Sequence, residues 1–431
     1  MIEKAPKYEE KNDLLILKES EANDYFFNKI ESDYLYWDKV KHYGLEENST
    51  SLWKEVKLLR KLISKKISLN SKIKIEVNYG VNDHLQQKLH YLDFNFGAGI
   101  QKEQLLNDID KHRYLTNALM EESIFSSMIE GATTTRVKAK EMLRKGKKPS
   151  NKSEQMILNN YKTIQYISEH KDEEISIDKL FEIHRLVTEN TLETEHIGVY
   201  RNSNDILVMN QITGEIVHTP PSFEELDELM KQFCDFFNTN PKENFIHPIV
   251  KASILHFLIG YIHPFVDGNG RTARALFYWY LLKNGYWLTE YLSISRVILK
   301  SKTQYEKAYI YSEMDEMDVS YFIHYQVKVL TQAFEDLKSY IAKKKKEENK
   351  LSKYLKLQNI NERQAQILYW IEEDSNRFFT VKEIETIFKI TNQTARTDIE
   401  YLVEKEYLKK VSINNKSFNY WKGEKYDNAF L

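Results

Sequence analysis

The stretch His263-Pro-Phe-Val-Asp-Gly-Asn-Gly-Arg-Thr-Ala-Arg274 decides the fold of this 431-residue chain. It lies between two apolar segments, 254–262 and 275–282, that have the composition and spacing of buried helices. Both segments are well short of the ~20 residues that a membrane-spanning helix needs. The sequence therefore predicts two buried helices joined by a glycine-containing loop, which opens onto the N-terminus of the second helix.

This loop has the residue types that bind phosphate groups. Gly268 and Gly270 let the backbone approach a ligand closely, and free N–H groups at a helix start bind anions. Asn269 is expected to add a side-chain donor. Arg271 and Arg274 are three residues apart, so they lie near the same helix face and can engage two different phosphates.

Two further residues of the stretch suit a transfer reaction. Asp267 offers a hard oxygen ligand beside the phosphate site, which suits a Mg²⁺ ion that bridges phosphate oxygens. His263 is the nearby group whose ordinary pKa fits a general base near neutral pH. We therefore expect Mg²⁺ as a cofactor and His263 as the catalytic residue.

Outside the stretch the chain is predicted to be mainly α-helical. It has 13 glycines and 7 prolines, where average usage gives roughly 30 and 20. So few turn-forming residues disfavour an all-β sandwich. Helical spacing is interrupted near Tyr43-Gly44 and at 131–135, and an alternating run at 72–81 predicts a short strand. We expect an N-terminal helical extension at 1–110, a central domain at 111–338, a lysine-rich linker at 339–355 and a C-terminal domain at 356–431.

The C-terminal domain is predicted to be a winged helix-turn-helix. Helical patterns at 362–372, 381–388 and 392–405 precede a strand-turn-strand at 407–420. Residues 351–431 hold 13 Lys and Arg against 12 Asp and Glu, a balance of +1. Since DNA-binding modules usually present a clearly basic surface, DNA binding and a role in dimerisation or docking remain equal alternatives.

Composition favours a cytoplasmic protein without an obligatory polyanionic partner. The 62 basic and 64 acidic residues give a formal net charge of −2. The single cysteine, Cys234, excludes an intrachain disulfide and a multi-cysteine zinc site. The N-terminal residues lack the apolar stretch of a signal peptide, and we expect no membrane partner.

The stretch 263–274 resembles the signature of the Fic domain, His-x-Phe-x-(Asp/Glu)-Gly-Asn-Gly-Arg-x-x-Arg, with every specified position filled. Gly198-Val-Tyr-Arg201, with the β-prone hairpin that follows at 205–221, is similar to the family's flap over the active site. The segment 247–252 resembles the entry to the helix before the signature. The resemblance implies a Fic helical core with a small β-hairpin flap.

The resemblance also implies an activity, the transfer of AMP from ATP to a Ser, Thr or Tyr hydroxyl of a protein, including the enzyme itself. His263 would take the hydroxyl proton and Asp267 would hold Mg²⁺ on the phosphates. Arg271 would pair with the β-phosphate and Arg274 with the γ-phosphate, and Tyr305 would lie near adenine. The residues expected to bind the nucleotide are Gly268, Asn269, Gly270, Arg271, Thr272, Ala273, Arg274 and Tyr305.

A second motif lies on the predicted helix at about 115–131. Ser126-x-x-x-Glu130-Gly131 resembles the family's inhibitory motif, which implies that Glu130 pairs with Arg274 in place of the γ-phosphate. Taken alone, Glu130 would be a solvated carboxylate at a helix end. The flap, in turn, is expected to dock an extended target segment by strand addition, or else to be a surface feature.

The alternatives to autoinhibited adenylyl transfer come from two classes. One is a DNA-binding or nucleotide-sensing regulator with a non-catalytic Fic domain. The other is an enzyme that transfers a different nucleotide or phosphodiester group, or that removes AMP from modified targets with the help of Glu130. A homodimer is possible under each of these readings.

Overall fold

The computed structural model describes residues 2–7, 24–43, 49–96, 108–209, 214–240, 244–357, 359–388, 390–414 and 417–427. The described chain is mainly helical, as predicted, and forms two compact units, Met1–Glu335 and Asp336–Leu431. Within the described residues, no helix combines the length and the apolar character needed to cross a membrane.

The first unit contains long helices and two small hairpins. Its strands are β1 (Lys65–Asn70), β2 (Lys74–Tyr79), β3 (Val208–Met209) and β4 (Ile216–His218), with short 3₁₀ turns at Thr194–His196, Phe223–Glu225 and Trp287–Tyr291. Its helices are α1 (Asp24–Asp33), α2 (Trp37–Val40), α3 (Ser49–Ile63), α4 (Asp83–Phe96), α5 (Asp108–Ile129), α6 (Arg136–Lys145), α7 (Lys152–Glu169), α8 (Ile177–Thr188), α9 (Leu226–Asn238), α10 (Pro248–Ile262), α11 (Asn269–Lys283), α12 (Ile294–Lys300), α13 (Lys302–Met314) and the start of α14 (Ser320–Leu355).

Helices α10 and α11 form the centre of the first unit. They pack against each other, and α5, α7 and α8 pack around α11. Both central helices are buried on nearly all sides, which explains why their sequences are apolar without a polar face. The prediction of two buried helices, one on each side of the signature loop, is therefore confirmed.

The N-terminal part shows one wrong prediction. Apolar residues recur at helical spacing from Asp24 to Ile67, which predicts helix up to Ile67, but α3 ends at Ile63 and the next residues form β1. Strand β2 confirms the strand predicted at 72–81, and the two strands pair antiparallel with Ile67 opposite Val77. Cross-strand pairing of this kind, with Val77 1% exposed, outweighs the local helical pattern. The break predicted at Tyr43-Gly44 borders residues outside the described ranges.

The second unit has the order of elements predicted for a winged helix. It contains α15 (Glu362–Glu373), α16 (Val381–Phe388), α17 (Asn392–Glu404), β5 (Leu408–Asn414) and β6 (Ser417–Lys422). A capping box at Asn361 begins α15, and the buried Asp398 of α17 accepts hydrogen bonds from Asn361 and Arg363. The segment 339–355, predicted as a linker, lies within α14.

Candidate active site

The loop between α10 and α11 is bounded by two residues in the left-handed backbone region. His263 ends α10 with φ 50° and ψ 58°, and Gly268 precedes α11 with φ 87°. A Cβ at Gly268 would lie 2.9 Å from Cγ2 of Thr188, so both the backbone conformation and the available space require glycine there. The loop therefore turns sharply and directs the N–H groups of the first turn of α11 outwards.

Asn269 holds this loop together. Its side-chain oxygen accepts a hydrogen bond from the Phe265 N–H at 2.9 Å, and its Nδ2 donates to the Phe265 carbonyl at 2.8 Å. Asn269 is 3% exposed. The sequence analysis did not foresee this role in shaping the loop, and the expected donation to phosphate stays a prediction, since Nδ2 has a second hydrogen and Asn269 borders the cavity described below.

His184 of α8 is a positioning residue that the sequence analysis missed. Its ring stacks on Phe265, with centroids 3.8 Å apart and planes 7° apart. Its Nδ1 accepts a hydrogen bond from Gly198 N–H at 2.9 Å, so its Nε2 carries the hydrogen and donates to the Asp267 carbonyl at 2.9 Å. The only sequence signal was a histidine on the buried face of an amphipathic helix, which is common in cores.

Arg201 connects the start of the flap to the same loop. Its backbone N–H donates to the Pro264 carbonyl at 2.9 Å, and its Nε donates to the His263 carbonyl at 3.0 Å. Its Nη2 donates to the carbonyl of Pro221, at the far end of the predicted flap. A single buried guanidinium group thus joins both ends of the flap to the signature loop.

His263 borders a cavity of about 260 Å³. Burial lowers the pKa of its imidazole to about 4, so the ring is neutral near pH 7. Its Nδ1 lies 3.3 Å from the Gly260 carbonyl, which can only accept, and this contact favours a hydrogen on Nδ1. Nε2 is then the ring atom that can accept a proton.

The two signature arginines are almost completely buried, at 1% exposure each. Nη1 of Arg271 donates to the Val187 carbonyl at 2.9 Å, and Nη2 lies 3.4 Å from Oδ2 of Asp267. Nε of Arg271 and Nη1 of Arg274 have no hydrogen-bond partner within the described part of the chain. Buried donors are rarely left unpaired, so these two point to an anionic ligand.

Arg274 is held by the end of α5. Its Nε donates to the Ser126 hydroxyl at 2.8 Å, and its Nη2 donates to the Ser126 carbonyl at 3.0 Å and to Oε1 of Glu130 at 2.8 Å. Burial acts to lower the pKa of Arg274, but the Glu130 carboxylate outweighs it and the pKa is raised. A Cβ at Gly270 would clash with the same Oε1, so the Glu130 carboxylate lies directly on the first turn of α11.

A buried glutamate fixes the helix that carries Glu130. Oε2 of Glu122 accepts hydrogen bonds from the Ser293 hydroxyl and the Ser295 N–H at 3.0 Å each, at the start of α12. Glu122 is 3% exposed, and burial raises its pKa. These bonds connect α5 to α12 and fix the position of the end of α5, where Glu130 contacts Arg274.

Several predicted nucleotide-binding residues border the cavity and others do not. Asn269, Gly270 and Tyr305 line it together with His263 and Glu130. The Tyr305 hydroxyl lies 3.0 Å from Nε2 of His256. By contrast, the fully buried side chains of Thr272 and Ala273 are not among the residues that line this cavity, because they point from α11 into the packed interior.

The flap forms one wall of the cavity. Strands β3 and β4 pair antiparallel, with Val208 opposite His218, which confirms the predicted hairpin; its tip, 210–213, lies outside the described residues. His218 attaches β4 to the body, with Nε2 2.6 Å from the Tyr261 carbonyl and Nδ1 2.8 Å from Oε2 of Glu313. Met209 and Ile216 are each 57% exposed.

Asp267 has the exposure that a metal ligand needs. Its side chain is 46% exposed beside the first turn of α11, and its Oδ1 accepts a hydrogen bond from the Gly268 N–H at 2.6 Å. One protein carboxylate next to bound phosphates is a donor set that Mg²⁺ accepts, since this ion usually keeps few protein ligands. Among the described residues, the one group of three clustered ligand side chains is Glu193, Glu195 and His196, which does not include Asp267.

Comparison with known proteins identifies both parts of the chain. Residues 174–281 match the model of the Fic/DOC family, and residues 363–412 match the model of the DeoR-like helix-turn-helix domain. The chain therefore carries a Fic domain, followed by a helix-turn-helix domain that agrees with the predicted winged helix.

Curated relatives match over the Fic domain. A protein of Nematostella vectensis named Protein adenylyltransferase Fic is 40% identical over 116 residues, which are 27% of this chain and 25% of that protein. The protein of the same name from Drosophila willistoni is 35% identical over 113 residues, 26% of this chain and 21% of that protein. The chain thus spans about a quarter of the length of these relatives.

Solved structures share the fold. A Fic family protein from Desulfovibrio desulfuricans G20 aligns with a TM-score of 0.51 and 18% identity, over 79% of this chain and 94% of its own. Fic-1 from C. elegans aligns with a TM-score of 0.52 and 18% identity, over 80% of this chain and 90% of its own. The fold class predicted from the signature is confirmed.

We predict that His184→Phe destabilises the first unit by roughly 1–3 kcal/mol at pH 7, because it keeps a ring against Phe265 but loses both hydrogen bonds. His170→Phe is the matched control, since His170 also stacks on an aromatic ring but is only half-buried. Urea denaturation followed by tryptophan fluorescence measures the difference. Equal destabilisation by the two substitutions would contradict the assigned role of His184.

The same residue makes stability depend on pH. Burial lowers the pKa of His184 to about 4, whereas an unfolded histidine titrates near 6.5. Between these values the unfolded chain binds more protons, so the free energy of unfolding falls as the pH falls, by up to about 3 kcal/mol for one histidine. The difference in the free energy of unfolding between wild type and His184→Phe should therefore become smaller from pH 7 to pH 5. A difference that does not change with pH would argue against a neutral His184.

Proposed function

We propose that this protein transfers AMP from ATP to a Ser, Thr or Tyr hydroxyl of a protein, including itself, and releases pyrophosphate. The observation that carries the proposal is the pair of buried guanidinium groups on the first two turns of α11, each with one donor that has no partner among the described residues, together with the neutral imidazole of His263 at the start of the loop that leads into α11. The donors suit a polyphosphate, and the imidazole suits a general base, which mere nucleotide binding does not need. The names of the curated relatives support adenylyl transfer.

In the proposed reaction, the N–H groups at the start of α11 and the two arginines bind the triphosphate and stabilise its charge. Nε2 of His263 accepts the proton of the target hydroxyl as its oxygen bonds to the α-phosphorus. The bond from that phosphorus to the bridging oxygen breaks, and its electron pair leaves with pyrophosphate. Mg²⁺ held by Asp267 would neutralise phosphate charge. The chain contributes mainly positioning and electrostatics.

The flap is the proposed docking surface for the target protein. Met209 and Ile216 lie exposed on paired strands next to the cavity that His263 borders. An extended segment added to the edge of this hairpin would bring its hydroxyl towards Nε2 of His263. Because Arg201 and His218 hold the flap to the signature loop and to the body, the segment would be aligned with the nucleotide.

Glu130 is proposed to inhibit the reaction. Its carboxylate takes one donor of Arg274 and lies on the first turn of α11, where a phosphate would bind. The γ-phosphate of ATP and this carboxylate therefore compete for the same guanidinium group. Loss of Glu130 alone would leave the buried charge of Arg274 less compensated, whereas exchange of this half-buried carboxylate for a phosphate keeps Arg274 paired.

We predict that Glu130→Gly increases self-modification by labelled ATP roughly tenfold or more, as expected if an ion pair of at least ~1.4 kcal/mol is removed. Glu130→Gln should give a smaller increase, because it keeps the shape but removes the charge. Adding His263→Ala to Glu130→Gly should abolish labelling. If Glu130→Gly labels no faster than wild type, the inhibitory role is wrong.

The transferred group can be identified by intact mass. We expect Glu130→Gly incubated with MgCl₂ and ATP to gain the mass of one adenylyl group, and to gain less or nothing with UTP or GTP. The same protein with His263→Ala is the control. A gain with UTP alone, or a gain of a single phosphate, would contradict adenylyl transfer while leaving the inhibitory contact intact.

DNA binding by the second unit is the second candidate function, favoured by the helix-turn-helix match at 363–412. Helix α17 exposes Asn392, Gln393, Arg396 and Thr397, side chains of the kinds that contact base edges and phosphates. If these residues bind DNA, full-length protein should retard random duplex DNA at low salt, and Arg396→Ala should weaken binding, whereas Lys231→Ala on α9 should not. Absence of retardation at 50 mM salt would favour a docking role.

A further inference from the structure

A second cavity, of about 500 Å³, lies on the opposite face of α13 from the cavity of His263. Tyr305 and Tyr309 line the first cavity, whereas Gln304, Lys307 and Tyr311 line the second. The helical repeat of 3.6 residues explains this division, because positions three or four apart share a face. The remaining walls among the described residues come from α14, from 32–39 at the junction of α1 and α2, and from Lys88 of α4.

Tyrosine and histidine side chains make up much of the lining of this cavity. Tyr36 and Tyr311 stack with centroids 4.6 Å apart, and both border the cavity. The hydroxyls of three tyrosines are already bonded to carboxylates: Tyr34 donates to Asp318 at 2.7 Å, Tyr311 to Asp38 at 2.9 Å and Tyr321 to Asp315 at 2.8 Å. With their hydroxyls engaged, these three rings contribute mainly apolar atoms to the lining; Tyr34 and Tyr321 are buried, and Tyr311 is half-buried.

His324 is the exception among these buried groups. It is 6% exposed, borders the cavity and stacks on Tyr34 with centroids 4.6 Å apart. Neither of its ring nitrogens has a hydrogen-bond partner in the ranges that the structure describes. Burial, with the nearby charges of Lys88 and Arg60, holds its pKa well below the usual range. It is therefore a neutral imidazole with one donor and one acceptor directed at a cavity.

The cavity lining is strongly cationic. Lys39, Lys88, Lys307 and Lys328 border it, against one carboxylate, Asp33. Asp38 lies near two of these lysines, 3.9 Å from Lys39 and 3.8 Å from Lys307, and Asp33 is paired with Lys29 on its own helix. Lys328 is exposed. The lining thus has an excess of positive charge beside aromatic walls.

We propose that this cavity binds a nucleotide, at a site separate from that of His263. The heterocycle would pack against Tyr311, the half-buried tyrosine of the lining, and share a hydrogen bond with His324, and the phosphate would lie among the lysines. The volume lies within the ~300–1,000 Å³ typical of small-molecule sites. The proposal does not depend on adenylyl transfer, because it concerns other residues and requires no reaction.

Photolabelling of the full-length protein with 8-azido-AMP, followed by mass spectrometry of the peptides, tests this site. We expect cross-links within 32–39 or 321–328, in addition to any near His263, and their loss when unlabelled AMP is in excess. Lys39→Glu combined with Lys328→Glu should reduce these cross-links at least tenfold and leave those near His263 unchanged. Lys231→Glu, an exposed charge reversal on α9, should change neither.

His324→Phe separates nucleotide binding from general charge attraction. It preserves the ring against Tyr34 but removes both nitrogens, so cross-linking at 32–39 or 321–328 should fall without a change in circular dichroism. Should His324→Phe not fold, the lysine double variant carries the test alone. Cross-links confined to the surroundings of His263, absence of cross-links, or labelling at the second cavity that survives the lysine reversals would overturn the proposal.

Discussion

The burial of two guanidinium groups on one helical turn is the constraint on which the first unit depends. Arg271 and Arg274 cannot be neutralised at any ordinary pH, so their charge must be met by neighbouring dipoles and anions. The Val187 carbonyl, the Ser126 hydroxyl and carbonyl, and the Glu130 carboxylate supply part of this. Nε of Arg271 and Nη1 of Arg274 have no partner among the described residues, so these two donors can bind a further anion, as the proposed nucleotide site requires.

The loop before these arginines serves to hold them in place. Asn269 forms hydrogen bonds with the Phe265 backbone inside the loop, and His184 donates a hydrogen bond to the Asp267 carbonyl. Arg201 joins the loop to both ends of the flap. Each contact uses a buried polar side chain that would be costly to leave unpaired, so the contacts reinforce one another. A rigid loop keeps the His263 imidazole and the first turn of α11 in one geometry, as catalysis by positioning requires.

Much of this arrangement could be predicted from the sequence, because the decisive residues are neighbours along the chain. The signature loop, the helices on either side of it, the hairpin at 205–221 and the winged helix all depend on local patterns. The features that were not predicted depend on contacts that local spacing does not show. His184 bonds to a loop about 80 residues away, and β1 pairs with β2 although its residues continue a helical spacing. The contacts of Asn269 with the Phe265 backbone were missed because spacing cannot reveal which backbone segment a side chain meets. Thr272 and Ala273 show the same limit, since a motif does not tell which of its members face the interior.

We propose above all that the Glu130 carboxylate holds the place of the γ-phosphate on Arg274. Calorimetric titration of ATP and AMP into His263→Ala, with and without Glu130→Gly, tests this competition most directly, because neither protein should turn over. We expect the removal of Glu130 to raise the affinity for ATP by about tenfold or more, or ~1.4 kcal/mol, and to leave the affinity for AMP nearly unchanged. An equal gain for both nucleotides, or no gain for ATP, would contradict this proposal.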